Sequence, residues 1–486
     1  MTSRGWIAAA LAILFTAALG IALLKHKARS STTREGQTTA YRPWKKRKLE
    51  FNKQIAPIVF EKCARCHYSG SAAPFPLTSY RDVRNHARAI ARALDHGLMP
   101  PWKPEHGFDE FVGDYSLTDQ EKGMIKQWLA EGSREGNPSK APAPPKPPLQ
   151  WSLGRPDDIL QTAESFKIPA DGEDIYRCFV IPTNYAEDRY VRVADVVPGN
   201  PRVVHHVVNF VDTSGRGRAR DAAEPGPGFT AFGALGFPTA GELGAWVPGA
   251  VPNPLPDGVG YFLPKGADII MQVHYHPTGK EETDLPRIGL YFCKQPVNKR
   301  LRVMTVGVPE GFLRIPGDEN NCVFWAEQKM PGNITVHQIF PHMHLVGREM
   351  VAAATLPDHT SAPIVRIRDW DFRWQNVYTL KTPLHLSAGS RIRFEARFDN
   401  SSGNPRNPNS PPKLVKFGLT AKDEMCILWV LYTVDSEMLT LNEPASSNYP
   451  DSWTDGVWGH PSWGRKQGGE PNAGNQVPMS RLHGLR

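Results

Sequence analysis

The apolar and polar positions divide the chain into a short helical part and a longer β part. Apolar residues at helical spacing predict helices over Phe51–Cys66, Val83–Leu94 and Asp119–Ala130. From Trp151 onward, β-branched and aromatic runs alternate with Gly, Pro, Asn and Asp, which is typical of β-sandwiches. The runs predict strands over Tyr190–Val197, Val203–Val211, Ile269–His276, Ile288–Phe292, Leu301–Val308, Cys322–Trp325, Ile334–Phe340, Met350–Thr355, Ile364–Arg368, Ile392–Phe398 and Met425–Val434.

Local signals place the boundaries between these parts. Thr118 and Glu121 form a capping-box pattern that opens the third helix. Ser139–Pro148 is a proline-rich stretch and predicts a semi-rigid spacer. Gly241–Val259 is rich in Gly and Pro and predicts a long loop, whereas Leu441–Arg486 has no periodicity and predicts an irregular tail.

One segment near the N-terminus has the composition of a membrane span. Trp6–Leu24 is apolar except for Thr16 and Gly20, and about 20 residues is spanning length. An uncleaved signal anchor over residues 1–30 is favoured, with the protein on the extracytoplasmic (periplasmic) side of the inner membrane. A cleaved signal peptide, giving a secreted protein, is the alternative. The basic residues that follow the span argue against export by the positive-inside rule, but the chemistry described below favours export.

The length of the chain limits the number of its domains, and its charge bears on its possible partners. A chain of 486 residues suffices for about three domains. The net charge of +8 is partly local, in Lys25–Arg34 and Arg42–Lys48, and no nucleic-acid recognition motif accompanies it, so no nucleic-acid partner is expected. The predicted division is an anchor (1–30), a helical domain (45–135), a linker (136–150), two β domains (151–298 and 299–440) and a tail (441–486).

The helical part carries a C-x-x-C-H motif at Cys63, Cys66 and His67. This is the attachment signature of c-type haem, in which both thiols bind the porphyrin and the histidine binds the iron. A redox dithiol and half of a zinc site are the alternatives, but the sequence has no second C-x-x-C. Met99, in a loop stiffened by Pro100 and Pro101, is the favoured second iron ligand.

Three histidines, at positions 86, 96 and 106, are alternatives to Met99. The Met99 loop and the third helix resemble those of small cytochromes c. This resemblance implies one covalently bound haem c in residues 45–135.

The β part concentrates histidines in three strand-like clusters that hold seven of the 16 in the chain: His205 and His206; His274 and His276; and His337, His342 and His344. Alternate residues of a strand share a face, so His342 and His344 can hold one metal ion. The neighbours His205 and His206 can do so only if the strand twists or bulges. Imidazoles suit copper, zinc, iron or nickel, and the thioether of Met425 favours copper.

Taken together, these residues resemble the copper type II, ascorbate-dependent monooxygenases, the family of peptidylglycine and dopamine hydroxylases. The resemblance covers Trp151–Thr440. It implies two jelly-roll-like β-sandwiches and two copper ions, one held by His205, His206 and His274 and the other by His342, His344 and Met425. It further implies that O₂ binds at the Met425 copper, where a C–H bond of a small-molecule substrate is hydroxylated. Ascorbate or a redox protein would be the external electron donor.

The sequence departs from the family at three positions beside the second copper site. Peptide-processing members have Arg, Asn and Tyr where this chain has Phe340, Ile427 and Trp429. An apolar pocket is therefore expected, and a peptide terminus is not the expected substrate. His276 and His337 have no place in the family pattern and are expected to be structural or to support the ligands.

Two further expectations concern the cysteines and the rival functions. The resemblance implies a Cys178–Cys293 disulfide, which leaves Cys322 and Cys426 as a second pair. A membrane-anchored electron carrier or copper-binding protein is the non-enzymatic alternative. A zinc hydrolase that uses Glu424 or Asp423 as its base is a third reading, although methionine is a poor zinc ligand.

Overall fold

Short strands joined by turns form two β-sandwiches in the computed structural model, which describes residues 41–45, 48–71, 73–146, 150–233, 235–441 and 462–466. The structure is therefore mainly β, as the sequence predicts. The predicted membrane span lies outside the described residues. No helix within the described part of the chain is long and apolar enough to cross a membrane.

The first sandwich follows the helical part. Its strands are β1 (Asp158–Gln161), β2 (Phe166–Ile168), β3 (Ile175–Pro182), β4 (Arg189–Val197), β5 (Val204–Asp212), β6 (Phe229–Thr230), β7 (Gly241–Trp246), β8 (Val259–Leu263), β9 (Asp268–Tyr275), β10 (Glu282–Asp284), β11 (Arg287–Phe292) and β12 (Lys299–Arg300). Two five-stranded sheets, ordered β1-β11-β4-β8-β12 and β6-β3-β9-β5-β7, enclose an apolar core, and β2 pairs with β10.

The second sandwich is built in the same way. Its strands are β13 (Arg302–Gly307), β14 (Arg314–Ile315), β15 (Cys322–Lys329), β16 (Ile334–Met343), β17 (Gly347–Thr355), β18 (Ser361–Ile367), β19 (Tyr378–Leu386), β20 (Arg391–Phe398), β21 (Val415–Lys416), β22 (Cys426–Val434) and β23 (Ser462–Lys466). A four-stranded sheet, β13-β22-β16-β19, packs on a five-stranded sheet, β18-β17-β20-β15-β23, and β14 pairs with β21.

The strands predicted from sequence are confirmed to within a few residues at most ends, but two predictions were wrong. Gly241–Val259 is not a loop throughout, because its first six residues form β7, which pairs with β5. The tail is not irregular throughout, because β23 pairs with β15 and forms the edge of a sheet. In both cases a partner strand distant in sequence supplies the backbone hydrogen bonds that local composition does not predict.

The helices are short and mostly precede the β part: a π-helical turn (Phe51–Ile55), α1 (Ala56–Lys62), α2 (Tyr80–Asn85), α3 (Ala87–Asp95), α4 (Asp119–Ala130) and α5 (Arg216–Ala223), with 3₁₀ turns at Pro138–Lys140 and Leu439–Leu441. The capping box of Thr118 and Glu121 is confirmed. The helix predicted over Val83–Leu94 instead begins at Tyr80 and is broken at His86.

The segment after α3 attaches the helical part to the second sandwich. The Phe111 backbone forms a β-bridge with Leu380, and Val112 N donates to Thr379 O at 2.8 Å. The Trp102 ring packs edge-on against Tyr378, with ring centroids 5.3 Å apart. The helical part is thus held by both backbone hydrogen bonds and aromatic packing.

The expected disulfides are absent from the structure, in which all six cysteines are free. Cys178 lies on β3 beside Gln272, whereas Cys293 contacts the Val259 carbonyl on the other sheet of the sandwich. Cys322 and Cys426 are both buried in the second core, and the charge of Cys322 adds to burial in raising the pKa of Cys426.

Candidate metal centres

A β-bulge at His205 directs two neighbouring histidines to the same side of β5. Val204 faces the core between the two sheets, and an unbroken alternation would send His206 there too. The pairing of β5 with β9 shifts register between Val204 and His206, so that after the bulge Val207 faces the core instead. The bulge that two ligating neighbours require is therefore present, and His274 lies opposite His206 on β9.

The three imidazoles meet through their Nδ1 atoms. His205 Nδ1 and His206 Nδ1 are 3.2 Å apart, and His274 Nδ1 is 3.3 Å from His206 Nδ1. One ligand atom from each ring lies within 4.8 Å of the others. Three neutral imidazoles that converge in this way form a donor set for copper or zinc. Their assignment as ligands of the first copper stays a prediction.

The outer nitrogen atoms of this cluster are held by groups that the sequence analysis did not identify. His274 Nε2 donates to Asp174 Oδ2 at 2.8 Å, and His276 Nδ1 donates to Asp174 Oδ1 at 2.7 Å. The His205 ring donates to the backbone carbonyl of Arg373, in the second sandwich. Such bonds fix the ring orientation and the tautomer of metal-binding histidines. His276 supports Asp174 and does not join the cluster.

A second bulge, at His337, has the same effect on β16. Ile334 and Val336 face the core of the second sandwich, but after the bulge Ile339 and Met343 do so. Without the extra residue, the even-numbered positions that include His342 and His344 would point into this core. His337 itself is buried and bonds Thr433 Oγ1 at 3.0 Å, so its role is structural.

His342 and His344 converge through Nε2, in contrast to the first cluster. Their Nε2 atoms are 3.2 Å apart. His342 Nδ1 donates to Gln375 Oε1, and His344 Nδ1 donates to Asp423 O at 3.2 Å. Both Nε2 atoms are therefore left as acceptors toward a shared ion.

Met425 lies beside this pair. Antiparallel pairing joins His342 with Ile427 and Met343 with Cys426, and the ladder ends there. Met425 directly precedes Cys426, and it lines the same cavity as His342 and His344. A thioether at the same cavity as two imidazoles fits copper better than zinc.

The carboxylate of Glu424 holds the backbone around His344 and Met425 in place. It is fully buried and accepts from the backbone N–H groups of His344, Met425 (2.9 Å) and Val346 (3.2 Å). Burial raises its pKa to about 8, while these backbone bonds oppose the rise. Because both oxygens already accept from the backbone, Glu424 holds the ligands in position rather than acting as a base.

Both clusters border one cavity of about 220 Å³ between the sandwiches. His206 lines one side, and His342, His344 and Met425 line the other. Burial lowers the pKa values of His205 and His344 to about 4 and that of His342 to about 3. Burial lowers that of His206 also, with a contribution from His342. The imidazoles are therefore neutral and able to bind a metal at ordinary pH.

In the C-x-x-C-H motif too, a hydrogen bond to the backbone fixes the orientation of the histidine ring. His67 is buried, and its Nδ1 donates to the Phe75 carbonyl at 2.9 Å, so that Nε2 would be the atom that holds the iron of a haem. Cys63 and Cys66 follow α1 directly, and His86 stacks on Phe75 with ring centroids 3.9 Å apart. These donors fit haem c. Met99 is half-buried in the loop after α3, and its role as iron ligand stays a prediction.

The comparisons with known proteins agree with the copper chemistry of the second sandwich. Residues 319–452 match the family model described as copper type II ascorbate-dependent monooxygenase, C-terminal domain. The match supports a copper-dependent monooxygenase, with O₂ and a substrate as reactants and ascorbate as electron donor, at the level of the family. It does not extend to the helical part, so the fused cytochrome c domain is not supported by it. No curated protein matches the chain.

Similarity to solved structures adds no further information. A structure of the Gt strain of infectious bursal disease virus is 13% identical over 59% of this chain and 75% of that chain, with a TM-score of 0.14. A structure of the Gx strain of the same virus is 8% identical over 60% of this chain and 84% of that chain, with a TM-score of 0.13. Scores this low carry no argument about fold.

The first prediction concerns Asp174. Asp174→Asn should weaken copper binding at the His205 cluster by about 10- to 100-fold, because the amide can no longer fix the His274 tautomer equally well. Binding at the His342 cluster should not change. Titration against a competing chelator measures both affinities, and Asp171→Asn, at an exposed position three residues earlier, is the control. Equal losses at the two clusters would contradict the assignment.

The second prediction concerns the metal-free protein. Buried histidines with pKa values near 3 to 4 stay neutral when those of the unfolded chain, near 6.5, take up protons. The unfolding free energy should therefore fall as the pH falls from 6.5 to 4, by about 1.4 kcal/mol per pH unit for each histidine. Urea titrations at several pH values measure this slope. His344→Asn should make it shallower, and an unchanged slope would count against the prediction.

Proposed function

We propose that this protein is a copper-dependent monooxygenase that hydroxylates a C–H bond of a small-molecule substrate and receives electrons through an attached haem. One oxygen atom of O₂ would enter the C–H bond, and the other would leave as water with two electrons and two protons from the reductant. The observation that carries the proposal is the single cavity bordered by both histidine clusters. A substrate in this cavity would meet the groups of both clusters.

The two clusters differ in ways that suit different tasks. Copper bound to them would supply the dioxygen chemistry and the electron transfer. Three imidazoles define the first cluster, and two imidazoles with a thioether define the second, in which a soft ligand favours the reduced metal. Tyr176 stacks on His274, with ring centroids 4.1 Å apart, and Phe372 covers His344 at 5.4 Å. These aromatic rings limit the access of water to the ligands.

The proposal also includes delivery of electrons from the helical part to the cavity. Cys66 Sγ lies against Gly249, where it leaves no room for a Cβ, and Arg65 donates to the Gly249 carbonyl at 3.4 Å. The neighbours Val247 and Ala250 line the cavity. A haem attached at Cys63 and Cys66 would therefore be close to the cavity wall, and attachment to the same chain raises its effective concentration. An extracytoplasmic location, where haem is attached to such motifs, is part of this proposal.

Two other functions are less well supported. A zinc hydrolase needs a carboxylate base beside an open metal position, but both oxygens of Glu424 accept backbone N–H groups. A non-enzymatic, membrane-anchored electron carrier would need no substrate cavity between its metal sites. Substrate-dependent oxygen consumption distinguishes the carrier from the enzyme.

Met425 provides the direct test of the hydroxylation. Met425→Leu should remove substrate-dependent oxygen uptake, because leucine keeps the volume of the side chain but not the sulfur ligand. Oxygen-electrode measurements on the copper-loaded protein provide the readout. Met343→Leu, a buried neighbour that faces the core, should keep its activity. Full oxygen uptake by the Met425 variant would refute the proposal.

The electron route has its own test. Cys66→Ala or Met99→Leu should abolish turnover with a reduced protein donor, since either change disrupts haem attachment or ligation. Copper content, measured by metal analysis, should be the same as in the unchanged protein. Cys293→Ala, at another free cysteine, is the control. Normal turnover with the protein donor in both test variants would rule out the haem route.

A further inference from the structure

The floor of the cavity is formed by the paired strands β16 and β22, and the chemical type of its side chains changes along their length. After the bulge, Gln338, Phe340 and His342 project from β16 on the side away from the core. They lie opposite Leu431, Trp429 and Ile427 of β22, respectively. The floor therefore runs from an amide through an aromatic pair to the metal-binding side chains.

The middle of the ladder is aromatic. Phe340 and Trp429 are stacked, with ring centroids 5.1 Å apart, and Trp429 also lies 5.2 Å from His342. Leu431, beside them, is buried. This part of the floor offers flat apolar surface directly next to the metal-binding side chains and suits a ring or an alkyl chain.

The end of the ladder away from the metal is polar, and its hydrogen bonds join neutral side chains. Gln338 Nε2 donates to Thr379 Oγ1 at 3.2 Å, and Tyr261 OH donates to Gln338 Oε1 at 3.4 Å. Asn253 Nδ2 donates to Thr379 Oγ1 at 3.4 Å. All four residues line the cavity. Gln338 is four residues from His342, so this polar end is about 13 Å from the metal-binding end.

The charges around the cavity exclude an anionic ligand. None of the described residues that line it is lysine or arginine, whereas two acids, Asp195 and Glu242, do line it. After burial, the charge of Glu242 contributes to raising the pKa of Tyr261, so this carboxylate acts on the polar end of the ladder. Burial raises the pKa of Asp195 to about 6. A carboxylate or phosphate would have no fixed positive partner here, whereas a neutral group could exchange hydrogen bonds with Gln338 and Thr379.

We infer that the substrate is an elongated, mainly apolar molecule that carries no negative charge and has a hydrogen-bonding head group at Gln338 and Thr379. Its ring or chain lies on Phe340 and Trp429, and its far end carries the C–H bond presented to the His342, His344 and Met425 side chains. This inference rests on the proposed function and specifies the substrate of the same site. The distance of about 13 Å between the polar end and the metal-binding end of the ladder sets the length of the molecule.

Three probes of equal length separate the head groups: 4-butylbenzamide, 4-butylbenzoate and 4-butylbenzylamine. Calorimetry on the copper-free full-length protein measures binding without any requirement for turnover. The amide and the amine should both bind at least about tenfold more tightly than the anion, because the benzoate loses hydration without gaining a counter-charge and meets the two carboxylates that line the cavity. Tighter or equal binding of the anionic probe would overturn the inference.

Gln338→Leu tests the position of the head group. The variant should bind 4-butylbenzamide about tenfold more weakly, while butylbenzene, which has no head group, should bind as before. Gln328→Leu, at a buried glutamine of the same sandwich outside the cavity lining, is the matched control. An amide affinity that is unchanged by Gln338→Leu would overturn the inference even if the order of the three probes is as expected.

Turnover separates this inference from the proposed function. Copper-loaded protein with 4-butylbenzamide should consume oxygen and hydroxylate the butyl chain, which mass spectrometry of the product locates. Selective amide binding without oxygen uptake would leave the cavity assignment intact and refute the monooxygenase. Oxygen uptake with all three probes, or hydroxylation on the ring, would support the monooxygenase and overturn the head-group assignment.

Discussion

The geometry of both candidate metal centres depends on one extra residue in each of two β-strands. Successive side chains of a strand point to opposite faces, so one inserted residue moves every later side chain to the other face. At His205 the exchange turns His206 away from the first core and leaves both neighbours on the same side. At His337 it turns His342 and His344 away from the second core. Unbroken strands would have buried these imidazoles among apolar side chains that offer them no partner.

The bulges also explain why the two clusters share a cavity. Each one directs its histidines out of a sandwich, and the two faces concerned are opposed to each other. Burial at this junction keeps the imidazoles neutral, which favours metal binding over protonation. The cost of burying polar rings is offset by the outer bonds to Asp174, Gln375 and the Asp423 carbonyl, which also fix the ring orientations.

Local patterns were sufficient to predict about half of the strands and to single out the histidines that the structure brings together, but not the groups that position them. The spacing of His342 and His344 predicted a shared face, and the adjacency of His205 and His206 required a twist or a bulge if both were to hold one ion. Asp174 lies 100 residues from His274 in sequence, and no motif connects them. The bulge at His337 leaves no compositional mark either, because its effect depends on pairing with β19 and β22. β7 was missed for the same reason, since its partner strand lies 30 residues earlier.

The loop that precedes β19 connects every functional part of the molecule. The Gln375 side chain holds His342, the Arg373 carbonyl holds His205, and the Phe372 ring lies on His344. Asn376 donates to the Pro101 carbonyl at 3.5 Å, within the segment that follows Met99. The helical part is therefore docked on the same loop that orients ligands of both clusters. The fold therefore links the position of the helical part to the geometry of the two histidine clusters through a few direct contacts.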